Sequence, residues 1–112
     1  MEYEWYVGEI IWCRNPDDPT NKKRPAVIVG TDDDDDALIL IFGTSQRKSN
    51  SDFVEIHDEK LPKTTYFNST EVKKIKECVD FDAEDERLGE SNTMKLMEKV
   101  TKYFPELRNG IL

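Results

Sequence analysis

The stretch GEIIWCRNPDDPTNKKRPAVIVG, Gly8 to Gly30, decides how this chain folds. Together with the two residues before it, its opening reads YVGEIIWC over residues 6–13. That mixture of aromatic and β-branched side chains predicts a strand. RNPDDPTNKK, residues 14–23, is a polar loop, where Pro16 and Pro19 deny the chain both helical geometry and ladder hydrogen bonds. PAVIVG, residues 25–30, is a short apolar run bounded by Pro and Gly. Five aspartates, Asp32 to Asp36, separate it from ALILIF, residues 37–42. Two buried strands joined by a polar turn is the natural reading.

Working outward, FVEI at residues 53–56 is a further strand, ending near His57, and LPKTTYF at 61–67 is a loop that enters one. EVKKIKECV at 71–79 fits two readings: Val72, Ile75 and Val79 share helical spacing, but the segment also suits a strand. Residues 82–88 are acidic and fit one helical turn. The clearest helix comes last. Ser91 is placed to cap it, and Leu96, Val100 and Phe104 recur every four residues, with Met97 and Tyr103 beside them. Lys95, Lys99 and Lys102 take another face. Pro105 disfavours helical geometry at Phe104, so the helix stops about there. Strands first and a helix last predict a mainly β protein, a small barrel or rolled sheet with one packed C-terminal helix.

The chain has 112 residues, which suits a single domain over 1–112. Apolar residues make up 37% and charged residues 36%, the balance of a folded domain with a heavily charged surface. No apolar run approaches the roughly 20 residues that span a bilayer. Met1 to Val7 carries Glu2 and Glu4 and no basic residue, unlike a secretory leader, so a cytoplasmic protein is expected. Cys13 and Cys78 form no CxxC pair, which points to neither a zinc site nor a redox motif; Cys13 reads as a small core residue. No metal or other cofactor is expected. The Asp block lacks the spaced ligands, Gly turn and distal Glu of a calcium loop, so a solvated hairpin turn is the reading.

The net charge of −8 weighs against a nucleic-acid partner, because affinity for RNA begins with cations that neutralise phosphates. The distribution changes that picture. Setting aside the five acids of the Asp block takes the balance from −8 to −3. Lys22, Lys23 and Arg24 form one basic cluster, and Arg47 and Lys48 another. A cleft between them would be positive on an acidic protein.

The segment from Gly8 to Gly30 resembles the N-terminal signature of the PemK/MazF family, in which Gly-Glu/Asp-Ile leads through a polar loop to Arg-Pro and a Val-rich strand. Gly43-Thr44-Ser45-Gln46 resembles the family's Thr-bearing turn after the next strand. LPKTTYFNSTEVKKI resembles its Leu-x-x-x-Ser-x-Val segment, with Thr65 in place of Ser. Arg87-Leu88-Gly89-Glu90 resembles the small turn before its C-terminal helix. The ordered set covers most of the chain.

The resemblance implies an SH3-like small β-barrel of the CcdB/PemK/MazF type that forms a homodimer. It implies metal-independent, sequence-selective cleavage of single-stranded RNA that leaves 2′,3′-cyclic phosphate ends, and neutralisation by an antitoxin protein. Arg24 and Thr44 match family catalytic positions. Lys22, Lys23, Ser45, Gln46, Arg47 and Lys48 are the substrate-binding candidates. One departure stands out: Pro19 occupies a position, five before Arg24, that is often acidic in the family. Two other readings remain open, a PemK-like barrel kept as a binding module for protein or nucleic acid, and a gyrase poison of the CcdB type.

The chemistry explains the choice of residues. Attack by the RNA's own 2′-hydroxyl needs a proton acceptor, a stabiliser for the charged phosphorane, and a proton for the leaving 5′-oxygen. A guanidinium suits the second task because its fork binds two phosphate oxygens and stays charged. Thr44 can donate to the same phosphate, or it can serve as a turn residue that bonds its own backbone. His57 has the only unperturbed pKa near neutrality, but nothing in the sequence brings it to Arg24. Trp12, inside a strand, reads as core; Trp5 is the better stacking or interface candidate. Leu96, Met94 and Met97 read as core or dimer contact.

Overall fold

A computed structural model describes residues 6–15, 17–20, 22–32, 34, 37–75 and 82–109, with the backbone alone at 82–85 and 108–109. Its elements are β1 (Glu9–Arg14), β2 (Lys23–Asp32), β3 (Ala37–Thr44), β4 (Phe53–Ile56), β5 (Thr65–Asn68), β6 (Lys73–Ile75), β7 (Asp82–Arg87), α1 (Glu90–Tyr103) and a 3₁₀ turn (Pro105–Asn109). The antiparallel sheet runs β4-β5-β3-β2-β1-β7, with β6 also paired to β3. One edge of β3 is therefore shared. Leu38 to Leu40 pair with β6, and Gly43 and Thr44 pair with β5. The sheet curls there into a half-barrel.

The central strands read as unbroken apolar runs because both of their faces are covered. Ile10, Val27, Val29, Ile39 and Ile41 point one way and meet Val54, Ile56 and Phe67 of the curled sheet and Leu96, Val100 and Leu107 of the C-terminal layer. Ile11, Cys13, Ala26, Ile28, Leu38 and Leu40 point the other way and meet Ile75. Each large side chain so buried contributes about 1.5–3 kcal/mol. Gly8 turns the chain into β1 at φ +96°, and a Cβ there would lie 2.7 Å from the Thr93 hydroxyl, so the start of α1 sits on a bare backbone.

The structure corrects some expectations and decides others that the sequence left open. Residues 82–87 form strand β7, not a helical turn: β1 offers an unpaired edge, with Ile11 opposite Ala83 and Trp12 opposite Asp82. The ambiguous 71–79 segment is strand at Lys73–Ile75, set by pairing with β3; its residues 76–79, including Cys78, lie outside the described residues, as does Trp5. Asp32 is not a solvated turn residue. It ends β2, is buried, and accepts a 2.7 Å hydrogen bond from Lys74 Nζ; Asp34 is exposed, and the other three aspartates lie outside the described residues. Met94 is 66% exposed, whereas Leu96 is buried and Met97 half-buried.

Ser91 does not cap α1. The helix begins at Glu90 behind Gly89, and the cap comes from elsewhere in the chain. Asp58 Oδ2 accepts the Gly89 N–H at 2.8 Å and Asn92 Nδ2 at 2.9 Å. Burial alone would raise the Asp58 pKa, but hydrogen bonds from Asn92 and the backbone N–H groups of Lys60 and Gly89 outweigh it and hold the carboxyl below its ordinary value. The stabilisation is thus present above the ordinary Asp range and lost as pH falls through the lower folded value. Asp58→Ala is expected to cost about 1–2 kcal/mol, as loss of an N-cap does, and to flatten the acid limb of a urea-melt series. An unchanged limb would show that the cap contributes nothing.

The same helix covers a sheet edge. Lys95 Nζ donates to the Glu55 carbonyl at 2.8 Å, and Asn92 Nδ2 to the His57 carbonyl at 2.7 Å. Outward carbonyls of β4 and the turn after it are thereby satisfied, which keeps another strand from adding there. Among the described residues no helix is long and apolar enough to cross a membrane.

Candidate functional site

Arg24 is the second residue of β2, opposite Cys13 of β1. Pro25 restricts the Arg24 backbone to extended geometry, so the strand aims the side chain. The β1–β2 loop then holds it. Asp18 accepts the Thr20 N–H at 2.9 Å and the Thr20 hydroxyl at 2.7 Å on Oδ1, a short local turn that presents Oδ2 outward. Arg24 Nε donates to that Oδ2 at 2.8 Å. The carboxylate beside Arg24 thus comes from six residues before it, next to Pro19. Asp17 turns the other way and takes Lys73 Nζ of β6 at 2.5 Å, so the loop is anchored at two points.

The Asp18 carboxyl is lowered to about 2, first by the Arg24 hydrogen bond and then by Thr20's hydroxyl and N–H. The pair therefore persists at every pH above that value and is lost only as pH falls through it. In Arg24→Met the Asp18 side-chain carbon resonance is expected to titrate above its wild-type midpoint, with the two Thr20 hydrogen bonds still holding it below an ordinary aspartate. A midpoint still near 2 would mean that Thr20 alone sets it. Only Nε is used in this contact, so both terminal NH₂ groups keep their hydrogens for an oxyanion.

Thr44 is the last residue of β3, paired with Tyr66 of β5, and not in the turn that follows. β2 and β3 pair Ala26 with Phe42; carried two residues further, that register sets Arg24 opposite Thr44. Thr44 Oγ1 accepts the Gln46 N–H at 3.1 Å, which leaves its own hydrogen to donate. Thr44 thus bonds the local backbone, as a turn residue does, and its hydroxyl hydrogen is not used in that bond.

Arg24 and Thr44 border a cleft of about 250 Å³ lined by Trp12, Lys23, Pro25, Gly43, Ser45, Pro62, Lys63 and Thr65 as well. Every charged residue on that lining is a cation: Lys23, Arg24 and Lys63. These lining charges are positive on a chain of net charge −8, with the Asp18 carboxylate paired to Arg24 beside them. Of the sequence candidates, the fold brings together Lys23, Arg24, Thr44 and Ser45. Lys22, Gln46, Arg47 and Lys48 do not line the cleft. Lys48 instead lies 5.7 Å over the Phe53 ring. His57 is not on the lining either: Nδ1 lies 2.9 Å from Thr64 Oγ1 and Nε2 3.3 Å from Glu55.

Trp12 packs against the core, as its place in a strand implied, and also lines the cleft; sequence reasoning missed Pro62 and Lys63. Their signal was present, a Pro-Lys pair ahead of a strand, but its meaning depends on β5 pairing with the end of β3. That pairing is close. A Cβ on Gly43 would lie 2.4 Å from Thr65 Cγ2 and 2.7 Å from Phe67 Cε1, so only glycine fits.

No family model matches the sequence, and no curated protein does. Solved structures do match the fold. A chain from the MazE–MazF complex of Deinococcus radiodurans superposes with a TM-score of 0.66 at 12% identity, over 92% of this chain and 97% of that one. The chain has a MazF-like fold. An endoribonuclease in complex with its cognate antitoxin, from a mycobacterial species, superposes with a TM-score of 0.63 at 13% identity, over 91% of this chain and 96% of that one. The expected architecture, a mainly β protein whose strands curl around a core with one packed C-terminal helix, is observed as a half-barrel. In this MazF-like fold the cleft lies where the β1–β2 loop, the end of β3 and the start of β5 converge.

Proposed function

We propose that this chain is a single-domain endoribonuclease toxin that cleaves single-stranded RNA in the cytoplasm without a metal, acting as a homodimer and restrained by an antitoxin protein. The observation that carries the proposal is the presence of Arg24 and Thr44 on one cleft whose charged lining residues are all cations. The likeness to an endoribonuclease–antitoxin complex and to MazE–MazF supports it.

In this reading the terminal NH₂ groups of Arg24 grip two oxygens of the scissile phosphate, and Thr44 donates to one of them. Asp18 keeps the guanidinium from swinging away. Charge on the phosphorane grows as the 2′-oxygen attacks, so donors already aimed at it lower the barrier. Lys23 and Lys63 attract the flanking phosphates. Trp12, Pro25 and Pro62 offer flat apolar surfaces to an unstacked base, which suits single-stranded RNA over a duplex. An antitoxin segment that fills the cleft would compete with RNA.

The test is incubation of purified protein with a long mixed-sequence RNA in excess EDTA. Discrete fragments ending in 2′,3′-cyclic phosphate are expected. Intact RNA with folded protein would instead favour a binding module, and stabilised gyrase–DNA complexes a gyrase poison.

A further inference from the structure

The cleft lining contains a phosphate stabiliser but no carboxylate or imidazole to accept the 2′-hydroxyl proton. The sheet register supplies one. Thr44 pairs with Tyr66, and Tyr66 pairs with Glu55 on β4. Residues directly opposite on paired strands share a face, so Thr44, Tyr66 and Glu55 form one row across β3, β5 and β4, and the β2–β3 register, carried two residues past its last pair at Ala26 and Phe42, aligns Arg24 with it. Tyr66 Oη donates to Glu55 Oε1 at 2.8 Å. His57 Nε2 lies 3.3 Å from the other oxygen, Glu55 Oε2, and Thr64 Oγ1 lies 2.9 Å from His57 Nδ1. Tyrosine, carboxylate, imidazole and hydroxyl are thus linked in series.

We propose that Tyr66 and Glu55 together accept the proton of the attacking 2′-hydroxyl; this rests on the ribonuclease reading above. Neighbouring strands lie about 4.8 Å apart, so a phosphate held by Arg24 and Thr44 places its ribose over the adjacent strand, which carries Tyr66. The 2′-hydroxyl proton passes to Tyr66 Oη as the tyrosine's own proton passes to Glu55 Oε1. The 2′-oxygen forms its bond to phosphorus, the bond to the 5′-oxygen breaks, and that oxygen takes a proton from water. Glu55 later returns its proton to solvent.

The environment suits these roles. The Tyr66 hydroxyl, and after it His57, hold the Glu55 carboxyl below its ordinary value, so it is ionised and ready to accept at neutral pH. The same contact raises Tyr66, which keeps its proton until Glu55 takes it. The other charges that bear on the pair are Lys95 of α1, on Glu55, and Arg47 of the β3–β4 loop, on Tyr66. His57 is a positioning residue here, since it reaches the row only through Glu55.

The test compares wild type with Glu55→Gln and Tyr66→Phe, both near-isosteric. Single-turnover cleavage is measured on an RNA carrying the mapped site, and binding on the same RNA with a 2′-deoxy ribose at that site. Each variant is expected to cleave about 10²–10⁴-fold more slowly while binding the deoxy RNA as wild type does. The double variant should be no slower than the worse single one, because the two groups act as a unit. The acidic limb of the rate profile should vanish in Glu55→Gln, and acetate should restore part of the rate to Glu55→Ala. Wild-type rates in both variants, or rate losses matched by equal losses of binding, would overturn the assignment and leave the ribonuclease reading standing. An inactive wild type would remove both together.

Discussion

Arg24→Ala is expected to lose about 10³–10⁵-fold in RNA cleavage, the range seen when a guanidinium that stabilises phosphoryl-transfer charge is removed. The fold should survive. Arg24 is 37% exposed at its side chain, and its one ion pair among the described residues is with the loop residue Asp18. Wild-type and variant proteins should therefore share a far-UV spectrum and melt within a few degrees of each other. Arg24→Lys should recover little, because an ammonium cannot hold Asp18 through Nε and present a two-pronged donor at the same time. Thr44→Ala should fall less, by about 10²–10³-fold, as loss of one aimed donor does. Cleavage by Arg24→Ala at the wild-type rate would separate the cleft from any ribonuclease activity.

The largest expected loss of stability from a single added methyl group lies at Gly43. In Gly43→Ala the new Cβ meets Thr65 Cγ2 at 2.4 Å and Phe67 Cε1 at 2.7 Å, closer than real contacts allow. Phe67 is fully buried, and Thr65 is held by its own hydroxyl on the Lys63 carbonyl at 3.0 Å, so neither can give way cheaply. Overpacking of this kind costs about 1–3 kcal/mol. Here it also pushes β5 from β3, which moves Thr44, Lys63 and Tyr66 relative to one another. Denaturant melts of Gly43→Ala should show the lower midpoint, and Gly43→Ala/Thr65→Ser, which removes the nearest methyl, should regain part of it. Equal midpoints for wild type and Gly43→Ala would mean that β5 can slide without penalty.

Gly43 adjoins Thr44 on β3, yet the two sites respond to different forces. In the proposed reaction Arg24 and Thr44 act on a charge that exists only during catalysis, so their loss is read in rate. Gly43 acts on packing that exists at all times, so its loss is read in stability. Lys63 joins the two, since its carbonyl holds Thr65 and its ammonium belongs to the cleft lining.

Local chemistry in the chain itself determined the central strands and the C-terminal helix. The runs at 25–30 and 37–42 are apolar at every position because both faces of β2 and β3 are covered, and such runs need no knowledge of partners to be read. The four-residue spacing of Leu96 and Val100 and the stop before Pro105 are likewise local. So is the extended backbone at Arg24, which Pro25 imposes. Tertiary structure alone decided the rest. The 82–87 segment is acidic and carries no strand pattern; the open edge of β1 makes it a strand. The cap of α1 comes from Asp58, 31 residues before Gly89, which no local rule could supply. Asp18 became Arg24's partner through a turn that Thr20 closes. Lys63 entered the cleft, and Tyr66 and Glu55 joined the row of Arg24 and Thr44, only because β5 pairs with the end of β3 and β4 with β5. Propensity and hydrophobic spacing act between near neighbours in sequence, whereas a site is assembled by strand register, which pairs residues regardless of the length of chain between them.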